Sequence, residues 1–121
     1  MIYGIGIDLI EIERIKNILE RSDKLASKIL SEGELKICPT NLNRRIEFIA
    51  GRFAGKEAIA KALGTGIGKK LSWRDIEILK LESGKPYVSL KKDNWTAEKF
   101  RIHISISHTK TLAIAKVVIE Y

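Results

Sequence analysis

The chain has 121 residues, 45% of them hydrophobic and 31% charged, a composition typical of one globular domain spanning residues 1–121. Its net charge of +7 indicates an anionic partner, which can be a nucleic acid, a phosphorylated metabolite or an acidic protein. The sequence contains no apolar run of about 18 residues and no signal-peptide pattern, and its single cysteine excludes an internal disulfide. These features predict a cytoplasmic protein without a membrane partner.

Hydrophobic periodicity predicts one early strand, then helices, then further strands. The predicted elements, in chain order, are a short buried strand over 2–7, helices over about 9–21, 23–30, 31–39 and 42–63, and strands over 74–82, 87–90, 100–107 and 111–120. Ser31 with Glu34 fits a capping box, Thr40 or Asn41 can cap the long helix, and "SGKP" at 83–86 predicts a turn. The last strand is apolar on both faces, which is typical of a central strand. Because helices and strands are segregated, the predicted class is α+β: a short N-terminal strand, several helices including one long helix, and an antiparallel sheet.

The acidic residue Asp8 stands between the first predicted strand and the first predicted helix. Aspartate is a favoured N-cap, and Asp8 with Glu11 resembles a capping box, so a structural role explains the residue taken alone. A second interpretation pairs Asp8 with Glu57 of the long helix. Two carboxylates can hold one Mg²⁺ ion while water and substrate phosphates complete its coordination. Lys61 would then contact the phosphates.

The long helix carries charges at positions where its periodicity predicts apolar contacts. Three stripes run along it: Ile46, Ile49, Ala50, Phe53 and Ala60 form an apolar stripe, Gly51, Gly55, Ala58 and Ala62 a narrow stripe of small residues, and Arg45, Arg52 and Lys56 a ridge predicted to face solvent. Glu57 projects within the apolar stripe, with Lys61 beside it. An exposed salt bridge between them would contribute only about 0.2–0.5 kcal/mol. Burying charges without good partners is costly, so the pair favours the lining of a site.

Two other segments have open interpretations. The glycine-rich segment 64–70 lacks the ending of a phosphate-binding loop, and its simplest role is a helix stop and connector. His108 lies in a predicted tight loop, where a phosphate contact and a plain hairpin role are both possible. A nucleic-acid-binding module and a catalytically silent scaffold are the competing functions. The first is disfavoured because the basic pairs Arg44/Arg45, Lys69/Lys70 and Lys91/Lys92 are scattered and aromatic residues are few.

Three motifs together resemble a known family. They are "GIGIDLIEIERI" at 4–15, "GRFAGKEAIAKALGTGIG" at 51–68 and "ISISHT" at 104–109. In this order and spacing they resemble the 4′-phosphopantetheinyl transferases of the holo-acyl-carrier-protein synthase type, whose fold is then expected here. The resemblance implies transfer of 4′-phosphopantetheine from coenzyme A to a serine of apo acyl carrier protein, with release of adenosine 3′,5′-bisphosphate. Coenzyme A is thus a substrate, and Mg²⁺ is the implied cofactor.

The resemblance also assigns residues to the site. Asp8 and Glu57 match the family's magnesium ligands, and Lys61 matches a lysine that contacts the pyrophosphate, so these three are the expected catalytic residues. The positions implied for coenzyme A binding are Arg52, Lys61, Gly64, His108 and Thr109.

The resemblance further implies two protein partners. The first is an acidic apo acyl carrier protein that docks beside the first helix, on the set Arg14, Ile18, Arg21 and Lys24. A simple solvated helix face is the alternative explanation for that set. The second partner is the chain itself, as a homotrimer with the site between neighbouring chains. In such an assembly, Asp8 and the long helix of one site can come from different chains.

Overall fold

The computed structural model describes residues 1–91 and 99–121. Its elements, in chain order, are β1 (Ile2–Glu11), α1 (Ile12–Arg21), α2 (Lys24–Ile29), α3 (Glu32–Ile37), α4 (Leu42–Leu63), a 3-10 turn (Trp73–Asp75), β2 (Ile76–Lys80), β3 (Pro86–Leu90), β4 (Arg101–His108) and β5 (Leu112–Glu120). Within this part of the chain, no helix has the length and apolar character needed to cross a membrane.

The strands form two antiparallel sheets. The larger sheet has the order β1-β5-β4, so the last strand is central, as its two apolar faces predicted. The strands β2 and β3 form a separate two-stranded sheet, in which Ile78 lies opposite Val88. The helix α4 packs on the larger sheet, and the core between them contains Ile49, Ile59 and Val117. The α+β class is confirmed.

The small residues of α4 allow the backbone of β1 to lie directly against it. A Cβ atom on Gly6 would lie 1.9 Å from the carbonyl oxygen of Ala58, and one on Gly4 would lie 2.0 Å from that of Ala62. Any side chain at either glycine would therefore push the strand away from the helix. In the stripe of small residues on α4, Ala58 and Ala62 are therefore the two that contact the backbone of β1. The other two, Gly51 and Gly55, face isoleucine side chains.

The first strand is longer and more exposed than the sequence predicted. Its pairing with β5 continues as far as Glu11 opposite Leu112, so α1 begins at Ile12 instead of near residue 9. Asp8 lies within the strand and caps no helix, and the capping-box interpretation was wrong. The outward residues Ile5 and Ile7 are 61% and 56% exposed, so the prediction of a buried strand was also wrong.

The predicted solvent-facing ridge on α4 was wrong for two of its three residues. Arg52 is 5% exposed and Lys56 is fully buried, whereas Arg45 is partly exposed. The reason is tertiary: α2 and β2 pack on α4, and Glu34 of α3 binds Lys56 on that side. The ends of α4 match the prediction, because Asn41 accepts a hydrogen bond from the Arg44 N–H and Gly64 ends the helix at φ 80°.

Candidate active site

Asp8, Glu57 and Lys61 meet where β1 crosses α4. Asp8 points to the helix side of the strand because it continues the alternation of Gly4 and Gly6. Its Oδ1 accepts a hydrogen bond of 2.9 Å from the Lys61 ammonium, which also donates to the carbonyl oxygen of Ile7 at 3.2 Å. Asp8 is 15% exposed and Lys61 is 53% exposed, so the pair lies at the edge of the core and opens to solvent.

Glu57 is held in an unfavourable environment for its charge. Partial burial raises the pKa of its carboxyl, the negative charge of Asp8 raises it further, and Lys61 lowers it. Lys61 bonds across to Asp8, so the interpretation of an exposed Glu57–Lys61 bridge is not what the structure shows. Asp8 and Lys61 of α4 meet within one chain, and the prediction that neighbouring chains share the site concerns other parts of it.

The two carboxylates fit a hard divalent cation. They repel each other without one, as the raised pKa of Glu57 indicates, and both supply the oxygen ligands that Mg²⁺ prefers. Among residues 1–91 and 99–121 no group of three or more acidic, histidine or cysteine side chains is placed to hold a metal. An ion held here would therefore need water and substrate oxygens to complete its shell.

A second feature is a cavity of about 450 Å³ between α4, the β2–β3 hairpin and the end of β4. Arg52 donates from Nη2 to the Ile78 carbonyl oxygen at 3.1 Å, and its guanidinium lies 4.0 Å from the centre of the Phe48 ring. Its buried Nε has no hydrogen-bond partner among the described residues. His108 also lines the cavity, with Nε2 lying 2.8 Å from Oε2 of Glu47. A buried cation with a free donor suits an anion or a nucleotide.

The remaining predicted coenzyme residues lie outside the walls of this cavity. Gly64 ends α4 in the left-handed conformation. Thr109 organises the β4–β5 turn, where its hydroxyl oxygen accepts hydrogen bonds from the N–H groups of Thr111 and Leu112 at 3.2 and 3.1 Å. His108 is the last residue of β4, so the prediction that it lies in a loop was wrong.

A groove of about 530 Å³ follows α1, and it contains most of the predicted docking set. Arg14, Ile18 and Arg21 line it, and Ile18 is 36% exposed. Lys24 is exposed at the start of α2 and lies outside the groove walls. The groove therefore combines two arginines with Ile18, and Glu11 and Glu13 also line it. Its use for docking stays a prediction.

Sequence reasoning missed several residues around the Arg52 cavity. Lys80, Gly84 and Pro86 form its hairpin wall, and only the "SGKP" turn signal marked that segment. Glu34 was assigned only to a capping box, which the structure confirms, but it also binds Lys56 and the Ile78 N–H. No local pattern predicts these contacts, since Glu34 and Ile78 are 44 positions apart.

Comparisons with known proteins show which family the chain belongs to. Residues 4–119 match the model of the 4′-phosphopantetheinyl transferase superfamily. The chain therefore belongs to that family of transferases, and its relatives place it with the holo-acyl-carrier-protein synthase type. A holo-[acyl-carrier-protein] synthase of Geobacillus kaustophilus is 51% identical over 99% of this chain and 90% of its own. One of Bacillus subtilis is 49% identical over 99% of this chain and 97% of its own.

Solved structures of the same type share the fold. A holo-(acyl-carrier-protein) synthase from Bacillus anthracis, in complex with CoA (3′,5′-ADP), superimposes with a TM-score of 0.85 at 45% identity, covering 98% of this chain and 96% of that chain. The synthase from Neisseria meningitidis gives a TM-score of 0.90 at 36% identity and covers all of both chains. The Helicobacter pylori synthase, in complex with coenzyme A, gives a TM-score of 0.84 at 39% identity, covering 96% of this chain and 99% of that chain. The predicted transferase fold is confirmed.

Proposed function

We propose that this protein transfers 4′-phosphopantetheine from coenzyme A to a serine of apo acyl carrier protein and releases adenosine 3′,5′-bisphosphate. The observation that carries the proposal is the pairing of Asp8 with Glu57 beside Lys61, at the edge of the core. Synthases 45–51% identical to the chain bear this activity in their names, and one of them was solved with CoA (3′,5′-ADP). Phosphoryl transfer needs mainly positioning and stabilisation of negative charge, which such a trio can supply.

Asp8 and Glu57 are the proposed ligands of Mg²⁺. A bound Mg²⁺ ion would neutralise charge on the pyrophosphate and on the leaving group. The Lys61 ammonium pairs with Asp8 and is exposed enough to turn towards the pyrophosphate of coenzyme A. Its second positive charge would stabilise the same oxygens. In this proposal, Asp8 and Glu57 bind the cation and Lys61 binds the phosphates.

Arg52 and His108 are proposed to bind the nucleotide part of coenzyme A in their shared cavity. The free Nε of Arg52 offers a buried donor to a phosphate oxygen, and the cavity volume of about 450 Å³ accommodates a nucleotide. Gly64 and Thr109 are proposed to contact the same coenzyme through the backbone around them. Their positions at the end of α4 and in the β4–β5 turn leave the nearby backbone exposed.

The placement of these two parts supports a site shared between chains. Arg52 and Glu57 are five positions apart, so they point about 140° apart around the axis of α4. One coenzyme molecule bound to both residues of a single chain would have to wrap around the helix. A neighbouring chain that brings its own Arg52 cavity to these carboxylates removes that demand. We therefore propose that one chain supplies the carboxylates and its neighbour supplies the nucleotide cavity.

The outer face of the larger sheet offers the surface for such an assembly. Ile5, Ile7 and Leu9 of β1 are 61%, 56% and 55% exposed, and they lie opposite Val118, Lys116 and Ile114 of β5. On this face the exposed apolar residues form a row along β1, beside the exposed Lys116 of β5, and such a row is typical of an interaction surface. A homotrimer built on this face is the proposed assembly.

The α1 groove is the proposed docking site for the carrier protein. Its arginines would meet acidic residues of the carrier, and Ile18 would supply the apolar contact, with Lys24 adding charge at the rim. The net charge of +7 would speed the encounter with an acidic partner. Nucleic acid is the less suitable anion, because the basic pairs of the described chain are not clustered, and Lys92 lies outside the described residues. A cytoplasmic location is part of the proposal.

The test is a transfer assay read by mass spectrometry. The purified protein is incubated with coenzyme A, Mg²⁺ and an apo acyl carrier protein, with and without a chelator. We expect the carrier to gain the mass of phosphopantetheine, and adenosine 3′,5′-bisphosphate to form in equal amount. The chelator should remove both products. Absence of the gain with several carrier proteins would contradict the function, and a gain that survives chelation would contradict the metal requirement.

A further inference from the structure

Lys56 is the residue immediately before Glu57 in α4, and it is fully buried. Its ammonium donates to the Glu34 carboxylate at 2.6 Å, to the Ile29 carbonyl oxygen at 2.5 Å and to the Trp73 carbonyl oxygen at 3.0 Å. All three protons of the ammonium group therefore have an acceptor. Burial lowers the pKa of Lys56, and Glu34 raises it. Burying a lysine ammonium costs free energy even when it has a complete set of partners. Its presence here therefore indicates that the position of the side chain matters.

Glu34 completes the other half of this buried network. Its Oε1 accepts the Ser31 N–H at 2.9 Å as well as the Lys56 ammonium, and its Oε2 accepts the Ile78 N–H at 3.0 Å. The Lys56–Glu34 pair thus ties α4 to the end of α2, the start of α3, the 3-10 turn and β2. Each of these segments is held by a backbone group instead of a flexible side chain, so small displacements would break hydrogen bonds.

The network also holds the outer edge of the β2–β3 hairpin. The sheet has only these two strands, and Ile78 uses its backbone N–H for Glu34 and its carbonyl oxygen for Arg52. Two side chains thereby satisfy backbone groups that a neighbouring strand would bind in a larger sheet. The same hairpin supplies Lys80 and Pro86 to the wall of the Arg52 cavity. The wall of that cavity is therefore fixed to α4 through Ile78.

We propose that Lys56 and Glu34 are positioning residues for coenzyme A, and this inference rests on the proposed function. Neither residue lines the cavity. They act by holding the hairpin wall at a set distance from Arg52 and from the helix that carries Glu57. Loss of the pair should loosen the cavity for the nucleotide while leaving the α1 groove, which lies on a different helix, unchanged.

The experiment uses the full chain with the charges of the pair removed together, as Lys56→Met with Glu34→Gln. Removing both charges avoids leaving one of them buried alone. We expect the KM for coenzyme A and the Kd for adenosine 3′,5′-bisphosphate to rise by about 10–100-fold, the range that follows from small displacements of binding groups. The KM for the carrier protein should stay within about twofold, because neither Lys56 nor Glu34 lines the α1 groove. The kcat should change less than the KM for coenzyme A.

Two further variants separate positioning from a general loss of stability. Ile119→Ala removes buried volume from β5, away from the network, and should lower the melting temperature without raising the KM for coenzyme A. Glu34→Asp keeps both charges and only shortens the carboxylate side chain, so it is the milder variant and serves if the double variant does not fold. A folded variant with unchanged coenzyme affinity would overturn the inference, as would equal increases in both KM values. If the unaltered protein transfers nothing, the proposed function fails instead.

Discussion

Glu57 illustrates how a single residue can be held in an environment that disfavours its charged form. Partial burial and the nearby Asp8 both raise the pKa of its carboxyl above the usual value of 4.5. An acid of this kind binds its proton more tightly in the folded chain than in the unfolded chain. The free energy of unfolding therefore falls as the pH rises from the usual pKa through the raised one, and the penalty is complete above both.

This penalty leads to a prediction for Glu57→Gln in the absence of divalent metal. Because glutamine cannot ionise, the variant should melt at a higher temperature than the unaltered protein at neutral pH. The difference should shrink as the pH falls through the raised pKa of Glu57 towards 4.5. Transfer should drop by roughly 100-fold or more, since a proposed metal ligand is lost. Thermal melts across pH and the mass-spectrometric assay measure the two effects.

Magnesium titration is the control for the same variant. Added Mg²⁺ should raise the melting temperature of the unaltered protein, because the ion binds only the folded state, and should leave that of Glu57→Gln unchanged. Asp8→Asn should behave in the same way. A lower melting temperature for Glu57→Gln at neutral pH, or full activity, would show that the carboxylate serves packing instead of metal binding.

At the scale of elements, the sequence was informative where a pattern is local. The periodicity of α4, its Asn41 cap and its Gly64 stop were all visible, as was the Ser31–Glu34 capping box. The sequence was not informative where contacts between distant segments determine the structure. The length of β1 depends on pairing with β5, more than 100 positions away, and the burial of Lys56 depends on α3 and β2. Local periodicity contains neither contact.

In the candidate site, too, the residues marked by local patterns were predicted and those brought together by long-range contacts were not. Asp8, Glu57 and Lys61 were found by motif and by their conflict with the apolar pattern, and the structure brings Asp8 and Lys61 to 2.9 Å. The walls of the Arg52 cavity come from α4, the β2–β3 hairpin and β4, so no single stretch of sequence reveals them. Their combination depends on how the small sheet packs beside the long helix.

The helix α1 carries its own prediction. Arg14→Ala combined with Arg21→Ala should raise the KM for apo acyl carrier protein by about tenfold, at about 0.7 kcal/mol for each lost exposed ion pair. The KM for coenzyme A should stay unchanged, because both arginines line the α1 groove and neither lines the Arg52 cavity. The rate of transfer should also become less sensitive to salt. Initial rates at several ionic strengths measure all three.

A matched change of charge is available elsewhere on the surface. Lys28→Ala with Lys36→Ala also removes two exposed positive charges, from α2 and α3, outside the α1 groove. This control should affect the carrier KM only slightly, through the net charge. If it weakens carrier binding as much as the arginine variant does, attraction is a property of the overall charge and α1 is not the docking site.

At the scale of the whole molecule, the proposed site divides its parts between two neighbouring chains. Arg52 and Glu57 point to different sides of α4, and the outer face of the larger sheet exposes a row of apolar residues that includes Ile5. The first feature favours the proposed second contributor to the site, and the second offers a surface on which that contributor could bind. An active site at the interface accounts for both features without a large movement of α4.

A variant that cannot assemble through the sheet face would provide a monomer as the reference. Ile5→Asp places a charge in the exposed apolar row, and light scattering should show the mass of a monomer. Leu81→Asp introduces the same charge at an exposed leucine on the β2–β3 hairpin, outside that row, and should leave the trimer intact. The pair of variants tells whether any later loss of activity comes from the interface or from added charge alone.

Complementation between inactive chains then tests the shared site. Glu57→Gln and Arg52→Gln chains, each inactive alone, are unfolded together and refolded as a mixture. If each site takes Arg52 from one chain and Glu57 from its neighbour, random equal mixing should restore about a quarter of the sites in a symmetric ring. Activity should rise accordingly, and it should not rise when both chains also carry Ile5→Asp. An inactive mixture of well-formed trimers would mean that each chain builds its own site, and that the coenzyme does reach around α4.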